Sequence, residues 1–296
     1  MCNAQSILGS CIRAIRQEKG LSQQQLANRC GISYQYLSGI ETGNENFTIG
    51  VLSELASALD TSLRVLVSVA HDNAAGNFPP TVSPDYFRPS TPLPEGLSHE
   101  DLEKALNHCQ AAIHRINRNL LAETGVALQS VIQGNNFSGL ISNLLSNSFD
   151  ECTNYKHNHH QRYPDLIEQS SETGLELKST IKIGKGGESH NGHSGWHCIA
   201  CFKFLPNDDI QFIHVMFAVL NSHAADEPDW TYVGSRTNSE TGSRRTETYN
   251  TNLFGLTKLR DGSAYLDTSE INFSRWKQRR RYDRPDYSIW ADGELI

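Results

Sequence analysis

Three residues within the stretch YPDLIEQSSETGLELKST carry side chains that could act together on a phosphate: Asp165, Glu176 and Lys178. In GLELKST, Glu176 and Lys178 stand two apart, so an extended strand sends both to one face and buries Leu175 and Leu177 on the other. Asp165 follows Pro164 and precedes the apolar pair Leu166-Ile167, as the end of a strand hairpinned back through EQSSETG would. Such a hairpin sets two carboxylates side by side, and they repel unless positive charge lies between them. A hard divalent cation such as Mg²⁺ meets that need, because it takes oxygen ligands and keeps waters for a phosphate and a nucleophile. Lys178 would then orient the attacking water or stabilise the developing anion. Without a cation, the same residues make a surface hairpin with a salt bridge.

The elements that would position these residues follow an uneven order. HEDLEKALNHCQAAIHRINRNLLAETG and FSGLISNLLSNSFDECT read as helices, and GLELKSTIKI, HCIACFKFL, IQFIHVMFAVL and AYLDTSEINF read as strands. Helices followed by strands argue for an α/β domain of α+β, mixed-sheet type over residues 97–296. Residues 71–96, HDNAAGNFPPTVSPDYFRPSTPLPEG, hold most of the chain's prolines and read as a linker.

Residues 1–70 read as short helices only, so the chain is expected to be multidomain with an all-α front end. Ser22, Ser33 and Thr48 are placed to cap helices that Gly31 and Gly43 punctuate. The four-residue turn CGIS joins SQQQLANR to YQYLSGIE, with Leu26 and Ile32 beneath it. This resembles the helix-turn-helix of the phage-repressor (XRE, Cro/C1) family, through the L-S-Q-x-x-L-A opening and the closing Ser-to-Glu-x-Gly pattern. The resemblance implies that Gln23 contacts phosphate and that Ser33, Tyr34, Gln35, Tyr36 and Ser38 face the major groove of double-stranded DNA. Gln35 has the amide to bond adenine in a bidentate way. Gly39 stands where that family often carries a long polar side chain. Residues 1–70 hold about as many acids as bases, which leaves a protein-interaction or dimer module as the competing use.

Pro164-Asp165 followed by Glu176-Leu177-Lys178 resembles the PD-(D/E)XK nuclease family, with a helix before it, Ser179-Thr180 after it and a core strand at 197–204. The resemblance implies Asp165, Glu176 and Lys178 as catalytic residues and Asp165 and Glu176 as Mg²⁺ ligands. A further acid is expected from the preceding helix, at Asp150 or Glu151, or its place is taken by Asn143 or Asn147. Glu168, Gln169 and Ser170 are additional candidates beside the site. Together the two resemblances imply a type II restriction endonuclease, cutting double-stranded DNA as a homodimer, with the helix-turn-helix either adding DNA binding or limiting the enzyme's own expression. The alternative is a transcription regulator whose second domain binds a ligand or partner without catalysis.

The remaining features narrow the class. A net charge of −7 argues against a protein that coats nucleic acid through bulk charge. The run WKQRRRYDR, with Lys277, Arg279, Arg280 and Arg281, is a local basic patch or a solvated surface. No apolar run approaches bilayer length and the first residues lack secretory-signal texture, so a cytoplasmic protein without membrane contact is expected. Seven scattered cysteines suit free thiols, and Cys198 and Cys201 fall in a strand, where a three-residue spacing points them to opposite faces. HNHH at 157–160 reads as a polar loop. GKGGESHNGHSGWH lacks a following helix, so it is no nucleotide-binding loop; it and SRTNSETGSRRTETYNTN read as loops against DNA, with Lys182, Lys185, Arg236, Asn238, Arg244, Arg245 and Asn250 as contacts.

Overall fold

The computed structural model describes residues 4–74, 78–159, 163–186, 188–190, 192–234, 247–278 and 282–296. Several residues named above, His160, Arg236, Asn238, Arg244, Arg245 and Arg279 to Arg281, lie outside the described residues. The chain divides into two compact units, Met1–Pro79 and Pro80–Ile296.

The first unit contains α1 (Ala4–Glu18), α2 (Gln23–Cys30), α3 (Tyr34–Thr42), α4 (Ile49–Ala58) and α5 (Leu63–Ala74). Local chemistry sets their ends. Ser22 accepts from Gln25 N while the Gln25 side chain accepts from Ser22 N, a reciprocal cap that starts α2. Gly31, at φ 64, supplies the left-handed residue that ends it. Ser33 and Thr48 cap α3 and α4 in one direction only, their hydroxyls accepting from Tyr36 N and Val51 N. Ile12, Leu26, Leu37, Ile40, Leu55, Leu59 and Leu66 pack into one core with no exposure. α5 was not anticipated; Leu66 and Ala70 bury one stripe of it, and it runs into the segment that composition marks as linker.

The second unit opens with α6 (His99–Thr124), α7 (Leu128–Val131) and α8 (Gly134–Cys152). Then come β1 (Tyr155–His157), β2 (Leu166–Glu168), β3 (Gly174–Thr180), β4 (Glu188–His190), β5 (Gly195–Phe204), β6 (Ile210–Leu220), β7 (Trp230–Gly234) and β8 (Thr248–Thr251). α9 (Leu253–Asp261), β9 (Ser263–Leu266), β10 (Trp290–Ala291) and β11 (Glu294–Leu295) complete it. A six-stranded sheet runs β1-β2-β3-β5-β6-β9, antiparallel throughout except for the parallel β3–β5 pair. One face packs on α6 and α8 through Leu175, Leu177, Cys198, Ala200 and Phe202. The other carries Ile199, Cys201, Ile213 and Met216 against α9 and the small sheet β4-β8-β7. Cys198 and Cys201 therefore belong to different cores, and burial pushes both thiols up, Cys201 to about 12.

Two expectations need correction. Residues 82–96 of the expected 71–96 linker are packed onto the second unit: Val82 is buried, and its N–H donates to Asn107 Oδ1. Arg88 N donates to Ala264 O, Thr91 Oγ1 donates to Ser263 O, and Phe87 packs edge-on against Tyr265. Proline removes a donor only at its own position, so the neighbouring N–H groups and apolar side chains remain able to strap the segment onto β9. The polar stretches read as loops also contain β4 and β8, which pair in register at Glu188↔Asn250 to His190↔Thr248.

Candidate functional sites: an acidic trio and an exposed helix face

The β2–β3 hairpin, in register at Leu166↔Leu175, brings Asp165 alongside β3. Asp165 Oδ2 accepts a hydrogen bond from Leu177 N at 2.9 Å and lies 3.5 Å from Lys178 Nζ. Lys178 Nζ lies 2.6 Å from Glu176 Oε1. Asp165, Glu176 and Lys178 thus meet, on the face opposite α6 and α8, and one ammonium serves two carboxylates. Their side chains are 38%, 10% and 32% exposed respectively, so the cluster opens to solvent through Asp165 and Lys178.

The electrostatics follow from that count. Burial pushes the Glu176 carboxyl up, Lys178 pulls it back and Asp165 adds to the rise, leaving it above the ordinary range. Burial works against the Lys178 ammonium, but Glu176 and Asp165 outweigh it and hold its pKa above the ordinary value. Charge is therefore under-compensated. The donor set fits Mg²⁺: two hard oxygen ligands at a solvent-open edge leave coordination positions for water and phosphate. Among the described residues no group of three or more His, Cys, Asp or Glu gathers that could hold a metal ion, so the protein's share of such a site is these two carboxylates.

The expected helix-borne acid does not reach this cluster. Asn143, Asn147 and Glu151 are exposed, and Asp150 binds His157 Nδ1 at 2.7 Å and Lys156 Nζ at 3.5 Å. α8 packs on the other face of the sheet, where Ser142 and Ser138 hold Ser179 of β3. Glu168 is turned into its own hairpin, accepting from Ser170 N and Ser171 N. Two neighbours escaped the sequence reading. His197 is the register partner of Glu176 on β5; it is 1% exposed, and burial drives its pKa down to about 4. Tyr163 stacks on His193 with centroids 4.4 Å apart and donates to Ser194 O. Their adjacency to a motif strand and to Pro164 was the available signal.

In the first unit, Tyr34 and Gln35 project from the start of α3 into solvent and Ser38 is half-buried behind them. Ser33 spends its hydroxyl on the cap to Tyr36 N, and Tyr36 donates its own to Asn46 O. Gln23 Nε2 donates to Glu41 Oε2 at 2.8 Å, so the amide assigned to phosphate is engaged inside the unit. Thr42, one turn beyond Ser38, is exposed on the same face, its hydroxyl donating to Ser38 O and accepting from Asn44 Nδ2.

A helix-turn-helix family model matches residues 12–66. The uncharacterized HTH-type transcriptional regulator y4dJ of Sinorhizobium fredii is 41% identical over 70 residues, 24% of this chain and 91% of that protein. The uncharacterized HTH-type transcriptional regulator Rv0474 of Mycobacterium tuberculosis is 45% identical over 58 residues, 20% of this chain and 41% of its own length. The solved structure of the restriction-modification controller protein C.AhdI from Aeromonas hydrophila is 37% identical, covering 21% of this chain and 94% of that one, with a TM-score of 0.21. Through its first unit, the chain belongs to the helix-turn-helix family.

Proposed function

We propose that the protein binds double-stranded DNA with its first unit and hydrolyses DNA phosphodiesters with its second, as a type II restriction endonuclease. The observation that supports hydrolysis is the convergence of Asp165, Glu176 and Lys178, with two carboxylates sharing one ammonium at an open edge of the sheet. Mg²⁺ held by Asp165 and Glu176 would supply Lewis-acid stabilisation of the phosphate and lower the pKa of a bound water. The chain's own residues do the rest. Leu177 N–H fixes the Asp165 carboxylate, and Lys178, kept protonated by its neighbours, can orient the nucleophile and neutralise a phosphate oxygen. One such site cuts one strand, so a two-fold homodimer is the economical way to cut both.

A second reading is a transcription regulator whose second unit binds a ligand or partner. The regulator names of y4dJ and Rv0474 favour it, although those matches cover about a fifth to a quarter of this chain. Incubation of the full-length protein with plasmid DNA and Mg²⁺ separates the two. Discrete fragments from the wild type and none from Asp165→Asn support the nuclease. Intact DNA across divalent ions and salt, with binding retained, leaves the regulator. Footprinting on the protein's own upstream region then tests autoregulation.

A further inference from the structure

The outward face of α3 has a gap. Tyr34, Gln35 and Thr42 are exposed and Ser38 is half-buried, but Gly39, one turn after Gln35, offers no side chain. The gap is filled from outside the helix. Beyond Gly43 the chain folds back, and the N–H groups of Asn44 and Glu45 donate to Gly39 O at 2.8 and 3.2 Å. This lays the Glu45 side chain over Gly39: a Cβ at position 39 would stand 2.2 Å from Glu45 Cγ and 3.4 Å from Glu45 Cδ. Only glycine permits that crossing. Glu45 is exposed, and no hydrogen bond or ion pair from a described residue engages its carboxylate. Two polar neighbours are engaged elsewhere, Asn44 Nδ2 donating to Thr42 Oγ1 and Tyr36 to Asn46 O.

We infer that Glu45 determines specificity: carried by the loop but lying across α3, its carboxylate accepts from the N4 amino group of a cytosine in the major groove. A carboxylate only accepts. Cytosine offers a donor at that edge, whereas guanine and thymine present acceptor oxygens that repel it, and adenine pairs its donor with an acceptor. The inference rests on α3 reading DNA and is independent of hydrolysis by the second unit.

The test is selection of randomised duplexes by the full-length protein without divalent ion, followed by sequencing of the bound pool. The wild type should enrich a motif in which one position prefers cytosine by about tenfold. Glu45→Ala should flatten that position and spare the rest. Gly39→Ala keeps the carboxylate but displaces it, and should flatten the same position. An unchanged motif in both variants overturns the assignment, as does uniform tightening on all sequences, which would mark Glu45 as a charge that merely repels phosphate. A wild-type pool with no motif overturns base reading by α3 and this assignment with it, while plasmid cleavage would remain a separate result.

Discussion

Each unit holds a cluster where a cation meets carboxylate, and the two clusters are built in opposite ways. In the first, Glu41 is fully buried and Arg16 is 8% exposed; Oε1 accepts from Arg16 Nε at 2.6 Å, and Oε2 from Arg16 Nη2 at 2.9 Å and Gln23 Nε2 at 2.8 Å. One charge meets one charge, both carboxylate oxygens are engaged, and Arg16 Nη1 closes on Leu21 O. In the second, Asp165 and Glu176 share Lys178 at a solvent-open edge. A saturated pair ties α1 to α2 and α3 and asks for nothing more. An under-neutralised trio offers a place to something positive. Closure against openness, rather than the presence of charge, separates a structural cluster from a candidate site.

The contrast can be broken by exchanging the measurements. Asp165→Asn is expected to lower plasmid cleavage at least about 10⁴-fold, roughly 5.5 kcal/mol of barrier. The same change should move denaturant unfolding of the second unit by less than about 1 kcal/mol, since Asp165 is well exposed. Retained cleavage would remove Asp165 from the chemistry, and a collapse of the fold would make the trio structural. Arg16→Met should do the reverse. It leaves Glu41 buried without a counter-charge, held only by Gln23, which costs about 3–5 kcal/mol, read as a lowered unfolding transition of the first unit. A cost below about 1 kcal/mol would mean that the saturated pair is no more structural than the open one.

How far these clusters were legible in the sequence follows the same division. The trio could be read because its geometry is local: a strand's two-residue period sets Glu176 beside Lys178, and a short polar loop returns Asp165 to them. The Arg16–Glu41 pair could not, because it links helices 25 residues apart and no periodicity encodes that meeting. His197 escaped for a related reason. Its place beside Glu176 depends on the register of the parallel β3–β5 pair, set across a Gly-rich crossover that itself contains β4. The helix ends were legible from Ser22, Ser33 and Thr48, since capping needs only neighbours within one turn. The strap at 82–96 was misread because proline content reports stiffness and missing donors, not what the remaining donors find.

The smallest expected effect sharpens the comparison through pH. The second unit buries neutral histidines, His197 with its pKa driven by burial down to about 4 and His214 down to about 3, whereas residues 4–70 contain no histidine. In the unfolded chain these rings titrate near 6.5, so below that value the unfolded state binds more protons than the folded one. Stability from His197 is therefore fully present above about pH 6.5 and is lost progressively as pH falls towards 4. At pH 5 the loss is about 2 kcal/mol for this ring, taking 1.36 kcal/mol per pH unit. Denaturant unfolding of full-length protein at pH 7 and pH 5 should show the second unit's transition weakening, and His197→Gln should recover about that amount of the difference. An identical pH response in wild type and variant would mean that the ring beside Glu176 is not held neutral, and the electrostatics assigned to that face of β3 and β5 would have to be redrawn.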